Sequence, residues 1–386
     1  VERYDLIVVG AGIVGLAHAL AAARRNARVL VLERSPRARG ASVRNFGMVW
    51  PIGQPAGPLL RRALRSRDIW LECAAAGAFH AEPCGALHAA TRPDELDVLA
   101  EFHDRHRNSG YACRMLDAAE SARHSPALRA DRVLGALRSD LELCVDPREA
   151  IAALPSVLAR RSVEFRFESH VRHVSTGRVE LSDATTLACE RAVVCSGAEM
   201  RTLFPATLAT AELVPCKLQM LRTVPQPGAW RTRAHLAAGL TLIHYKAFAA
   251  CASLPRLRER LQRDYPEHIA RGVHVLVSQN AAGELTLGDS HEYSPTIDPF
   301  NTDHTDALVL NYLDEFFRCP DLRIAQRWHG VYAKSAAGAP EFVARVEPGV
   351  FLVTGLGGNG MTLSFGLAEE TIDAILADTP WRAPTA

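Results

Sequence analysis

A parallel, doubly wound α/β sheet joined to a second, α+β domain on an antiparallel or mixed sheet is predicted by three observations. Leu6 to Val9 is a short apolar run that leads into Gly10, Gly12 and Gly15 of DLIVVGAGIVGLAHAL. Val350 to Thr354 is a second such run, followed by GLGGNGMTLSFG from Gly355 to Gly366. Between these ends, from about Glu212 to Asp321, the pattern changes to short strands and separate helices.

The first run is short enough for a buried parallel strand, and Ile13 to Arg25 is small, apolar and proline-free, as a helix packed on a sheet should be. Gly10 permits a tight turn, Gly12 lets backbone amides approach a pyrophosphate, and Gly15 lets the helix lie close to the strand. Ile13 and Val14 then open a helix whose N-terminus faces the anion. Arg28 to Leu32 forms the next strand. Glu33 at its end stands 33 − 10 = 23 residues after the first glycine, where a carboxylate accepts hydrogen bonds from ribose hydroxyls, and Arg34 follows it. An acid here disfavours the 2′-phosphate of NADP. The unit reads as Rossmann-like; the alternative is a structural glycine turn with a surface glutamate.

In the C-terminal loop, Gly355, Gly357, Gly358 and Gly360 lead from a strand into a helix predicted over Leu363 to Leu376. Backbone amides and a helix N-terminus converge there on something electron-rich, and a flavin pyrimidine ring fits that description. Two such loops, one at each end of the chain, point to one large cofactor and hence to a flavoprotein.

Length and charge set outer limits. The 386 residues, 48% hydrophobic and 23% charged, hold one large core or two moderate ones, and two domains are expected. A formal net charge of +1 supplies no global field for nucleic acid or anionic membrane. Arg61, Arg62, Arg65 and Arg67, and later Arg256, Arg258, Arg260 and Arg263, recur among leucines at helical spacing and read as solvated helix faces. Nine cysteines show no CxxC pair and no metal-like spacing with histidine, so neither zinc nor a disulfide scaffold is expected. Cys195 and Cys216, in apolar strand-like settings, read as buried thiols of a reducing compartment, with cytoplasm the expected location. No run reaches the roughly 18 apolar residues of a membrane span. Oligomeric state is left open.

Along the chain, a helix is predicted at Asp94 to Ser109, strand character at Val163 to Val174, a hairpin at Arg178 to Leu187, and a strand at Ala192 to Cys195. That last strand ends in Ser196 and Gly197, placed beside the nucleotide. Strands are expected at Leu240 to Tyr245, Val273 to Gln279 and Leu285 to Gly288, with helices at Arg256 to Asp264 and Asp303 to Phe317. The expected division assigns residues 1–85, 142–211 and 323–386 to a cofactor domain and 86–141 and 212–322 to a substrate domain.

GAGIVG with Glu33, then GASVRNFG, AVVCSGA and VFLVTGLGGNGMTLSFG, occur in an order that resembles the D-amino-acid oxidase, glycine oxidase and sarcosine oxidase superfamily over nearly the whole chain. GASVRNFGMVWP and RWHGVYAKS are further similar to a branch of FAD-dependent oxidoreductases associated with aminophosphonate breakdown. The resemblance implies a glutathione-reductase-like domain with extended FAD. It places Ala41, Ser42, Arg44, Asn45, Gly47 and Met48 near pyrophosphate or flavin, Val171 by the adenine, and Gly330 and Gly355 to Thr362 around the flavin, Asn359 and Met361 included. Some relatives tether flavin through a cysteine in the segment of Trp328 to Tyr332; none stands there, so non-covalent FAD is expected.

Many relatives clamp a substrate carboxylate with an arginine where this chain has Tyr332, with Lys334 close by. That departure suits a differently shaped anion such as a phosphonate; alternatively Trp328 and Tyr332 are core aromatics and Lys334 is solvated. On the predicted strand LTLIHYKAF, His244 and Lys246 share one face and either line a cavity or both face water. His291 and Tyr293 are weaker candidates. Lys217, Lys246 and Lys334 are the candidate oxygen-activating cations. The expected reaction is C–N oxidation of a small anionic primary or secondary amine by hydride transfer to flavin, with O2 or another acceptor. The alternatives are amine oxidation on a modified nucleic-acid base and flavin binding without turnover.

Overall fold

The computed structural model describes residues 2–77 and 79–381. Five parallel strands of its eight-stranded first sheet stand in the spatial order Val163–Arg166, Val29–Leu32, Arg3–Val9, Thr186–Val194 and Val350–Thr354. Numbered along the chain this is 3-2-1-4-5, the doubly wound order of a dinucleotide fold. The strands are apolar because helices cover them: Val350–Thr354 is buried throughout, and Ile13–Ala23 packs beside Gly360–Leu376 in the same core. An antiparallel hairpin of Val171–Ser175 and Arg178–Leu181 pairs onto the first residues of Thr186–Val194, so the predicted strand Val163 to Val174 is two strands in different parts of the sheet.

The second sheet has nine strands and is mixed, and its longest pairing joins Leu213–Thr223 to Ile324–Ser335 over eleven registered residues. Ile324–Ser335 therefore hydrogen-bonds into the second sheet, whereas the expected boundary at residue 323 assigned it to the cofactor domain. Two large apolar clusters follow the two sheets.

One predicted element has the wrong type. Gly239–His244 is a helix, not a strand, although its apolar run is too short for periodicity to separate the two. Tertiary contacts decide it. The Leu240 amide donates to the buried Tyr312 hydroxyl at 2.9 Å, and Gly239 lies against the Glu95 side chain so closely that a Cβ would meet Oε1 at 2.3 Å.

The arginine clusters are not simple solvated faces. Arg62 is buried on helix Pro58–Ala75 and pairs with Glu341 and Glu370, each at 2.7 Å, while Arg65 pairs with Glu369 at 2.7 Å. In the other cluster Arg260 meets Asp94 and Glu95 at 2.7 Å, and Arg256 meets Asp97. Most of these guanidinium groups are paired with carboxylates of the same chain. Among the described residues no helix is long and apolar enough to cross a membrane.

Candidate active site

A cavity of about 740 Å³ connects the edge of the parallel sheet to residues of the second sheet. At its nucleotide end Gly10 has φ +106°, a conformation that favours glycine, and a Cβ there would lie 2.5 Å from the Cys195 carbonyl oxygen. A Cβ on Gly15 would meet the Gly10 oxygen at 1.9 Å, so this glycine sets how closely helix and turn approach. The Glu33 carboxylate accepts from the Ala11 and Ser35 amides, each at 3.0 Å, which holds it at the loop with lone pairs to spare for ribose hydroxyls. Ser42 arrives from a distant turn to accept from the Ile13 amide at 3.0 Å at the helix N-terminus. Val171 lines the cavity with Ser169 and His170, as do Ser196 and Gly197.

The second glycine loop closes the middle of the cleft. Gly357–Asn359 makes a single tight turn, and the helix begins at Gly360, three residues before the predicted start. Its first amides face the cavity with no acidic residue in the first turn to compete for them. Gln54 donates to Asn359 Oδ1 at 3.1 Å, and the Tyr332 ring lies against Gly358, where a Cβ would meet its hydroxyl at 3.5 Å. Arg44, at the end of the turn Ala41–Val43, packs against strand residue Gly330: its guanidinium donates to the His329 carbonyl at 3.2 Å, and Trp328 Nε1 donates to the Arg44 carbonyl at 3.2 Å.

Most of the residues predicted to contact the cofactor line the cleft; Gly15, Gly47, Met48 and Thr362 stand behind it. Gly47 has φ +74° and abuts Val145, and Thr362 Oγ1 accepts from the Trp50 amide at 3.0 Å. Asn45 lines the cleft but spends its side chain on its own turn, donating to Ala41 and Ser42 carbonyls at 3.0 Å and accepting from Gly47 at 2.7 Å.

The far end of the cavity gathers His244, His274, His291, Asp289, Tyr332 and Lys334. His244 ends a helix and Lys246 opens the next short turn, so they reach the cavity without sharing a strand face. Lys246 is exposed and donates to the Gly338 carbonyl at 2.6 Å. Lys334 donates to the Tyr293 hydroxyl at 2.9 Å, and desolvation pulls its ammonium below the usual lysine range. Lys217 is buried, donates to the Phe300 carbonyl and does not line the cavity. Burial pushes the Tyr332 hydroxyl well above its usual range and keeps all three imidazoles neutral, with His291 lowered to about 4.

His274 was not a candidate from sequence. It lies in a segment read as apolar strand, VHVLVSQ, and nothing local distinguishes it from a satisfied core histidine. The fold pairs it across from Asp289, with backbone hydrogen bonds of 3.2 and 3.0 Å between the two residues.

A 3-2-1-4-5 parallel sheet with glycine turns at two helix N-termini and a carboxylate beside the first turn is a dinucleotide-binding arrangement, and its cleft runs on to residues of the second sheet. The chain belongs to the FAD-dependent oxidoreductase family: the DAO model, described as FAD dependent oxidoreductase, matches residues 5–374. Glycine oxidase of Geobacillus kaustophilus is 28% identical over 208 residues, 51% of this chain and 55% of that relative, so the aligned region spans about half of its length. The crystal structure titled as that glycine oxidase superposes with TM-score 0.76 at 20% identity, covering 98% of this chain and 96% of the other. Glycine oxidase from Bacillus cereus ATCC 14579 gives TM-score 0.77 at 18% identity, with 99% of each chain covered.

Proposed function

We propose that this protein oxidises the C–N bond of a small anionic amine, with an aminophosphonate as the substrate class and molecular oxygen as electron acceptor, giving hydrogen peroxide. The observation that carries the substrate class is the donor set beside the second glycine loop. Tyr332 and Lys334 stand there together, whereas the arginines that line the cavity, Arg34, Arg39 and Arg44, belong to the segment after the first glycine loop. An arginine fork matches a planar carboxylate; separate single-point donors match the three oxygens of a tetrahedral phosphonate.

The cofactor fits the residues present. The Gly10 to Val14 turn and helix would hold pyrophosphate, Glu33 a ribose, Val171 the adenine, and the Gly357 to Met361 amides the flavin pyrimidine. When bound, FAD supplies the hydride acceptor for the C–H bond beside the amine nitrogen. The cleft favours a non-covalent association, because Cys195 is the cysteine among its described lining residues and burial raises its thiol far above the usual range. The protein's own contribution is position: Tyr332, packed on Gly358, and Lys334, packed on Gly357, fix the anion a short reach from the loop. Tyr245 and Tyr332, both largely buried, line this end and limit water.

The test is anaerobic mixing of FAD-loaded protein with glycine, sarcosine, D-alanine, 2-aminoethylphosphonate and its N-methyl derivative, following flavin bleaching, then peroxide release on admitting air. Bleaching by the phosphonates alone supports the substrate class. Bleaching by the amino acids and not the phosphonates overturns it, and no bleaching by any amine overturns the amine reading itself.

A further inference from the structure

We propose that His244, His274 and His291 form a binding site for one divalent first-row transition metal ion of the zinc type, at the end of the cavity away from the nucleotide. Each imidazole offers one ring nitrogen, and the three nitrogens all lie within 4.8 Å of one another. The rings come from three separate segments, and their centroids are 3.7 Å apart for His244 and His274, 4.7 Å for His244 and His291, and 5.0 Å for His274 and His291.

The second nitrogens carry the argument. Imidazoles that bind a metal through one nitrogen hold the other against a carbonyl or carboxylate, which fixes ring orientation. His291 Nδ1 lies 3.0 Å from the Gly272 carbonyl oxygen, which leaves its Nε2 for a ligand. His274 Nε2 lies 3.4 Å from Asp289 Oδ1, and its Nδ1 is buried with no hydrogen-bond partner among the described residues. Asp289 Oδ1 is likewise buried and makes no hydrogen bond, the 3.4 Å approach of His274 Nε2 falling short of one. Buried polar atoms without partners are rare in native proteins and call for an occupant. Ordinary core packing at this position has no use for three polar rings and a carboxylate.

Three neutral imidazoles suit zinc, copper, nickel or cobalt in preference to magnesium or calcium, which take oxygen donors. A three-histidine set also leaves a coordination position open, and all three histidines line the cavity. The site accounts for His244, His274, His291 and Asp289 without depending on which amine is oxidised.

FAD-loaded protein stripped with a chelator and titrated with Zn2+ in a calorimeter should bind one equivalent, and Co2+ in its place should give ligand-field bands to the red of the flavin absorption. His274→Asn with His291→Asn should abolish that binding while flavin content stays at the wild-type value, and Asp289→Asn should weaken it by roughly 10- to 100-fold. X-ray absorption at the zinc edge of the wild-type protein should show imidazole scattering, a readout that needs no variant to fold. Absence of stoichiometric Zn2+ uptake by the wild-type protein, uptake unchanged in the double variant, or an edge spectrum without imidazole overturns the proposal. Amine turnover enters none of these readouts, so their failure is distinct from failure of the substrate assignment.

Discussion

Replacing Arg62 by methionine should cost the folded protein about 3 to 5 kcal/mol, the range for removing one partner of a buried ion pair. The structure sets that figure. The Arg62 side chain is 1% exposed; it donates to Glu341, 4% exposed, at 2.7 Å, and forks onto Glu370, 33% exposed, at 3.0 and 2.7 Å. Methionine keeps much of the stem volume but leaves Glu341 charged, buried and unpaired, whereas Glu370 can turn to water and adds little. At about 2 °C per kcal/mol for a chain of this size, the melting temperature should fall by roughly 6 to 10 °C. Glu341 directly follows Gly338, Ala339 and Pro340 of the cavity rim, so flavin should also dissociate more readily from the variant. The assay is a thermal melt read by circular dichroism and by flavin fluorescence at equal excess FAD. Arg62→Met with Glu341→Leu should recover most of the loss, because an apolar pair replaces a buried ionic one at little cost. A single variant that melts within a degree of wild type, or a double variant no better than the single, would refute the reasoning.

Gly15→Ala should lose bound flavin, because its Cβ would lie 1.9 Å from the Gly10 oxygen and the helix must retreat by more than an ångström; the flavin-to-protein ratio of purified variant checks this, and full loading contradicts it. Lys334→Met and Tyr332→Phe should each raise KM for the anionic amine by about 10- to 100-fold, the range of a hydrogen bond to a charged group, with the melting temperature held; an unchanged KM removes them from anion binding. His18, His88 and His235 are buried with pKa lowered by desolvation to about 4, 3 and 4. The unfolded chain binds protons at these groups below about pH 6.5 and the native state does not, so stability should hold above pH 7 and fall by up to about 4 kcal/mol per pH unit as pH drops toward 4. Denaturant unfolding from pH 8 to 5 measures this, and a flat profile between 7 and 5 contradicts it.

By itself the sequence determined the cofactor half of this protein, because that half is made of local signals. Strand, glycine turn and helix are contiguous at Leu6 to Ala23 and again at Val350 to Leu376, and Glu33 follows its strand at a fixed spacing, so chemistry and chain order coincide. Where local signals were ambiguous, tertiary contacts won. The run at Gly239–His244 became a helix because Tyr312 and Glu95 hold its first residues, and Arg62 became a buried ion-pair partner because the last helix brings Glu370 beside it. The far end of the cavity was decided by tertiary structure alone. Residues 244, 274 and 291 are separated by helices, loops and strands whose spacing carries no metal or anion signature, and only the pairing of His274 with Asp289 and the packing of the helix end at His244 against His274 and His291 bring their rings together. Sequence records neighbours along the chain, and this site is made of neighbours in space.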